Sequence, residues 1–82
     1  MAIQKFRYAN STDRDLLVSV EPWARQYRIR PTQQIVVTMD GGDVDDCLEI
    51  EQTTDGLVLY GSTGSTITLT ENGTELACEP QK

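Results

Sequence analysis

Histidine is absent from the 82 residues of this chain. That removes the commonest general base at neutral pH, the Ser-His and Cys-His dyads, and the usual zinc ligand. Cysteine is nearly absent: Cys47 and Cys78 are the only two, too few for a disulfide scaffold. They are read as reduced thiols in small packing positions, with a single bond between them as the alternative. No apolar run approaches the roughly 20 residues that a membrane-spanning helix needs. The opening Met1-Ala2-Ile3-Gln4-Lys5-Phe6-Arg7 has no apolar core or cleavage pattern of a secretory signal. A cytoplasmic setting without a membrane partner is therefore expected. There is no P-loop, no dinucleotide-binding glycine fingerprint and no Cys-x-x-Cys. With no nucleophile beside a base, an enzyme is the least favoured class.

Basic residues are also missing from most of the chain. Residues 1–36 carry six (Lys5, Arg7, Arg14, Arg25, Arg28, Arg30) against three acids, a net +3. Residues 37–82 carry Lys82 alone against ten acids, a net −9. The overall −6 repels a phosphate backbone, so nucleic acid is an unlikely partner. Such asymmetry marks an interaction face or pairing between the halves. The length fits a single β domain over 1–82, which hides only about 60–65% of the surface that its unfolded chain exposes. A site would sit on a face, a rim or a loop.

What is present is alternation at period two, the mark of half-buried strands. Phe6 and Tyr8 share a face, as do Leu16, Val18 and Val20, then Tyr27 and Ile29, then Ile35, Val37 and Met39. Leu48 and Ile50, Val58 and Tyr60, Ile67 and Leu69, and Leu76 and Cys78 continue the pattern. Turn formers separate these runs, including Glu21-Pro22, Asp40-Gly41-Gly42-Asp43, Asp55-Gly56 and Asn72-Gly73. Asn-Gly and Asp-Gly favour tight hairpins because their central residues accept positive φ. The two sequons, at Asn10 and Asn72, are read as turn chemistry. No stretch has a helical apolar stripe. The expected fold is all-β: a small antiparallel sandwich or partly open barrel of about 7–8 short strands with essentially no helix.

The segment Asn10-Ser11-Thr12, Leu16-Leu17-Val18-Ser19-Val20-Glu21-Pro22-Trp23, Tyr27 and Pro31 resembles a family of small uncharacterised bacterial proteins. Their pattern is an Asn-Ser/Thr turn, a strand ending in Glu-Pro-Trp, an acidic-Glu-Tyr step and then Pro-Pro-Gly. The resemblance covers residues 8–38. This chain departs from it at Ala24, where Gly is common, at Arg25-Gln26 and at Arg30-Pro31-Thr32. The resemblance implies a small β fold and carries no function.

Two clusters stand out as candidate sites. Arg7, Tyr8, Trp23, Arg25, Tyr27, Arg28 and Arg30 combine the residue types that dominate binding hot spots. They equally suit a core edge, with Trp23 as a core plug and the arginines paired to Glu21, Glu49 or Glu51. Asp40, Asp43, Asp45 and Asp46 crowd around two glycines and could ligate Ca²⁺, although the spacing is not that of an EF-hand. They equally suit a solvated loop. Glu49 and Glu51 share a strand face and are read as solvated. Gly61-Ser62-Thr63-Gly64-Ser65 is read as a turn, since no helix follows to form a phosphate cradle.

The leading expectation is a non-enzymatic protein-interaction or self-association module. It would use Arg7, Trp23, Arg25, Tyr27, Arg28 and Arg30, and it would be lost on charge reversal at Arg28 and Arg30. A cation- or small-ligand-binding domain using the 40–46 loop, and an acidic nucleic-acid mimic or inhibitor, are the alternatives.

Overall fold

The computed structural model describes residues 3–43, 45 and 47–79. Eight strands form: β1 (Ile3–Ala9), β2 (Leu16–Glu21), β3 (Arg25–Ile29), β4 (Gln34–Gly41), β5 (Glu49–Gln52), β6 (Gly56–Tyr60), β7 (Ser65–Glu71) and β8 (Thr74–Glu75). They build two four-stranded open sheets, ordered β1-β4-β7-β8 and β3-β2-β6-β5. The all-β expectation is met: the strands form a sandwich of two open sheets that do not close into a barrel. One pairing departs from an antiparallel fold: β2 and β6 run parallel, with Val18 opposite Leu57 and Val20 opposite Leu59.

The alternation read from the sequence becomes the core. Val18 and Val20 from β2, Tyr27 and Ile29 from β3, and Ile35, Val37 and Met39 from β4 are all buried. Leu59 and Ile67 and Leu69 complete the layer, with Phe6, Tyr8, Leu48, Leu57 and Leu76 packed at its margin. Each fully buried aliphatic side chain contributes about 1.5–3 kcal/mol over its exposed state. The hairpin around Asn72-Gly73 forms, with Thr70 opposite Glu75. Its second arm is shorter than the apolar alternation predicts. After Glu75 the chain leaves the ladder, and the Glu79 amide donates to the Gln26 carbonyl at 2.6 Å. Residues 76–79 thus lie along β3, so β3 and β8 share one flank of the sandwich.

On the opposite flank β1 stands over β5, where the Leu48 amide donates to Gln4 Oε1 at 3.4 Å. Both strands run away from the end at which the 42–48 connection leaves β4. The parallel β2·β6 pair depends on Gly56. Its φ is +149°, and a Cβ there would collide with the carbonyl oxygen of Leu17. The Leu17 amide in turn donates to the Asp55 carbonyl at 2.7 Å.

Asn10 is the buried polar joint of the fold, only 1% exposed. Its Nδ2 donates to the carbonyls of Arg14 (2.8 Å) and Ile29 (2.9 Å). Its Oδ1 accepts from the Thr12 amide (2.9 Å) and hydroxyl (2.6 Å). Its own amide donates to Gln33, and its carbonyl accepts from Thr32. The β1–β2 loop, the end of β3 and the turn before β4 therefore meet on one side chain whose capacity is filled. Replacing Asn10 by Asp sets a carboxylate oxygen against two carbonyls and loses both Nδ2 bonds. Buried unsatisfied groups cost about 1–3 kcal/mol each. Asn10→Asp should therefore lower unfolding free energy by about 3 kcal/mol or more in urea melts near neutral pH. A loss below about 1 kcal/mol would show that Asn10 does not join these segments.

Candidate functional site

The two clusters singled out in the sequence are rearranged by the fold. Of the aromatic and basic cluster, Trp23 and Arg25 come together. Tyr27 is buried in the core. Arg7 lies exposed on β1, at the opposite edge from β3. Arg28 and Arg30 are exposed on the other side of β3 from the core. Arg28 pairs with Glu79 at 3.0 Å and Asp15 at 3.4 Å, which pins the 76–79 segment to β3. The hydrogen bond to Glu79, ahead of the other attractions, raises its pKa further above the ordinary value. The expected pairing of arginines with Glu21, Glu49 or Glu51 is replaced here by Asp15 and Glu79. Arg28 thus acts within the fold, so its charge reversal does not test binding cleanly.

Trp23 departs from the expected core plug and is 41% exposed. It follows a cis Glu21–Pro22 bond in the turn between β2 and β3. The turn closes through a bond from the Ala24 amide to Glu21 Oε1 at 3.0 Å. Ala24 takes φ +56°, a conformation that favours glycine. The indole ring lies over Gly61, where a Cβ would stand 2.7 Å from the ring. The Arg25 guanidinium carbon sits 5.6 Å from the ring centroid, within range of a cation–π contact. Arg25 reaches past the core edge, and one of its terminal nitrogens donates to the Ile67 carbonyl at 3.0 Å. Its Nε is buried without a partner. Among the described residues no carboxylate lies within ion-pair distance of Arg25.

Two hollows flank this pair. One, of about 380 Å³, is lined by Trp23, Arg25, Ser65 and Thr66. The other, of about 410 Å³, lies on the outer face of the second sheet, with Ser19, Glu21, Arg25 and Tyr60 in its walls. The 61–65 segment, read as a turn, forms the floor of the rim. Ser65 is buried, and its amide and hydroxyl both donate to the Ser62 carbonyl, at 3.1 and 2.7 Å. Gly61, read only as part of a turn, is the sequence signal that could have found this contact, because a Cβ there would meet the indole.

The acidic loop leaves β4 beside this rim, because Gly41 pairs with Ser65 and Asp40 with Thr66. Asp40, Asp43 and Asp45 are exposed, and Asp46 lies outside the described residues. No group of three or more His, Cys, Asp or Glu residues is placed to hold a metal ion among the described residues. Cys47 and Cys78 are both free and exposed, not packing thiols. The acids are also dispersed. Glu49 and Glu51 lie on the β5 edge, while Glu71 and Glu79 lie toward β8 and β3. Glu71 accepts from Gln33 at 3.1 Å. One continuous acidic face, as a nucleic-acid mimic requires, is not formed by these groups.

No protein-family model matches this chain, and neither a curated protein nor a solved structure matches it significantly. The resemblance of residues 8–38 to small bacterial proteins therefore rests on its motif alone.

All three tyrosines are raised above the ordinary phenol value near 10. Burial raises Tyr8. Burial also dominates at Tyr27, opposed by Arg25 and reinforced by Cys78 and Glu75. At Tyr60 the largest cause is the hydroxyl donating to Glu51 Oε1 at 2.8 Å, a bond that only the neutral phenol can donate. A raised folded pKa means that the folded state holds more protons. This contribution is fully present below about pH 10 and is lost as pH rises through the folded values. Stability should therefore fall in alkali, and Glu51→Gln should shift one tyrosine, read at 295 nm, to lower pH. Three tyrosines titrating together near pH 10 would refute this.

Proposed function

We propose that this chain is a non-enzymatic binding module for a protein partner, with the Trp23–Arg25 rim as its contact site. The observation that carries the reading is the half-exposed indole, packed against Gly61 and Arg25 beside two open hollows. Trp and Arg are the residues most often found to dominate binding energy, and a ring held in place loses little entropy on binding. The partner's chemistry follows from what the rim lacks. An apolar side chain would enter the hollow beside Trp23, and a carboxylate would complete Arg25. The neighbouring acidic loop would repel strongly acidic partners and so narrow the choice.

Two variants separate the ring from its position. Trp23→Ala removes the indole, and Gly61→Ala lifts it by placing a methyl under it. Each, checked for a folded circular-dichroism spectrum, serves as bait beside the wild type in affinity capture from lysate. A partner held by the wild type should bind each variant at least about thirty-fold more weakly, corresponding to the roughly 2 kcal/mol of a hot-spot residue. Equal retention by all three baits would rule out the rim as the contact site.

A further inference from the structure

A second surface lies on the flank where β1 stands over β5, away from the Trp23 rim. Among the described residues β1 pairs only with β4 and β5 only with β6. Each is thus a sheet edge, with no further strand beside it among the described residues. β1 is seven residues long, Ile3–Ala9, without proline and in unbroken register with β4. An edge of that length is a template for another strand unless charge guards it.

The guards on the two edges have opposite sign. Along β1, Lys5 and Arg7 point outward, while Gln4, Phe6 and Tyr8 lie opposite Met39, Val37 and Ile35 and so face inward. Along β5, Glu49 and Glu51 lie opposite Tyr60 and Val58 on the outer face, while Ile50 lies opposite Leu59 on the inner side. Ile50 nevertheless remains 48% exposed, because β5 is at the edge and the core stops short of it. The flank therefore presents a basic edge, an acidic edge and an incompletely covered apolar seam between them.

We propose that this flank binds a second copy of the chain, forming a two-fold dimer in which β1 of each copy pairs with β5 of the other. Both strands run away from the loop end, so the required axis is parallel to the strands and the new pairings are parallel, as β2·β6 already is. Each sheet of one copy then continues into the opposite sheet of the other, giving two eight-stranded sheets. Lys5 and Arg7 approach Glu49 and Glu51 of the second copy, and the Phe6–Ile50 seam is covered on both sides. The alternative axis, which joins β1 to β1 and β5 to β5, sets like charges together along both edges and is disfavoured. A two-fold contact closes on itself and leaves no free edge on this flank.

The flank is small. Seven strand residues span about 23 Å, and the sheets stand about 10 Å apart. The contact thus falls below the standard interface of about 800 Å² per partner, and the dimer belongs to the weak class. Its test is sedimentation equilibrium of the full chain from about 10 µM to 1 mM, the range in which interfaces of this size associate. The dimer fraction should rise with concentration and fall in about 1 M salt. Lys5→Glu with Arg7→Glu should weaken self-association at least tenfold, and so should Glu49→Lys with Glu51→Lys. An equimolar mixture of these two double variants should restore a dimer, since each then offers the other the missing sign. Recovery in the mixture also shows that both variants remain folded. Trp23→Ala should leave the dimer unchanged, so failure of the rim reading does not touch this one. A wild-type chain that is monomeric throughout, a dimer that survives Lys5→Glu with Arg7→Glu, or open-ended growth beyond two copies would each overturn the proposal.

Discussion

Asn10 fixes the closed end of this sandwich because every hydrogen-bonding group it owns is used inside the protein. A sheet protein of this size has a core one side chain thick, so its two layers must be registered by something other than bulk. Here a single amide side chain binds the carbonyls of Arg14 and Ile29, while its backbone holds the turn at Thr32 and Gln33. The three strand ends so joined set where β2, β3 and β4 begin or finish. Arg14 then extends the joint to the second hairpin by donating to the Thr54 carbonyl at 2.6 Å. A fully satisfied polar group in a low-dielectric setting is strongly directional, and half-satisfied it is strongly unfavourable. This end is consequently well specified, and variation is left to the other.

At that other end, the turns at 22–24 and 61–65 and the departure of the 42–48 connection meet, with no comparable buried amide joint among the described residues. The Gly61 amide donates to the Glu21 carbonyl at 2.9 Å, and the other approaches are matters of shape: an indole against Gly61, Gly41 close to the Gly64 carbonyl, Gly42 close to the Ser62 hydroxyl. Loops held by shape on a scaffold fixed elsewhere are the usual place for recognition. The Trp23 rim therefore follows from the same division that makes Asn10 necessary, since the rigid end carries the register and the open end carries the exposed chemistry.

The strands were legible in the sequence because their alternation at period two is strict: the buried Val18–Val20 and Ile35–Val37–Met39 sets coincide with the apolar face read there. The Asn72-Gly73 hairpin was legible because its turn chemistry is local. The parallel pairing of β2 with β6 was not, since it rests on Gly56 approaching Leu17, nearly forty residues away in the chain. The turn chemistry read at Asn10 is there, in its bonds to the Thr12 amide and hydroxyl, but its burial was not legible, because a surface sequon and a buried amide have the same letters. The site was half legible. Trp23 and Arg25 stood out by type, and Arg7, Tyr27, Arg28 and Arg30 were grouped with them by type as well. Strand alternation then sent Tyr27 inward and Arg28 outward, and sheet order sent Arg7 to the far edge. Likewise, pairing of Arg28 with Glu79 depends on the chain leaving the β7–β8 ladder after Glu75, which the apolar alternation of Leu76 and Cys78 concealed.

The charge asymmetry along the chain takes on a different meaning once the strands are ordered. The basic stretch of residues 1–36 supplies β1 and β3, which are edges of different sheets on opposite flanks. The acidic remainder supplies β5 and the segment after β8, which lie across from β1 and β3 respectively. On the β3 flank the opposite charges already meet within one molecule, as Arg28 with Glu79, and the chain's own 76–79 segment covers the edge. On the β1 flank the charges are of opposite sign but belong to strands of different sheets, and no segment among the described residues covers them as 76–79 covers β3. The two flanks have thus been built by one rule, a basic strand set over an acidic one. The difference between them is whether the molecule has enough chain to satisfy the rule alone.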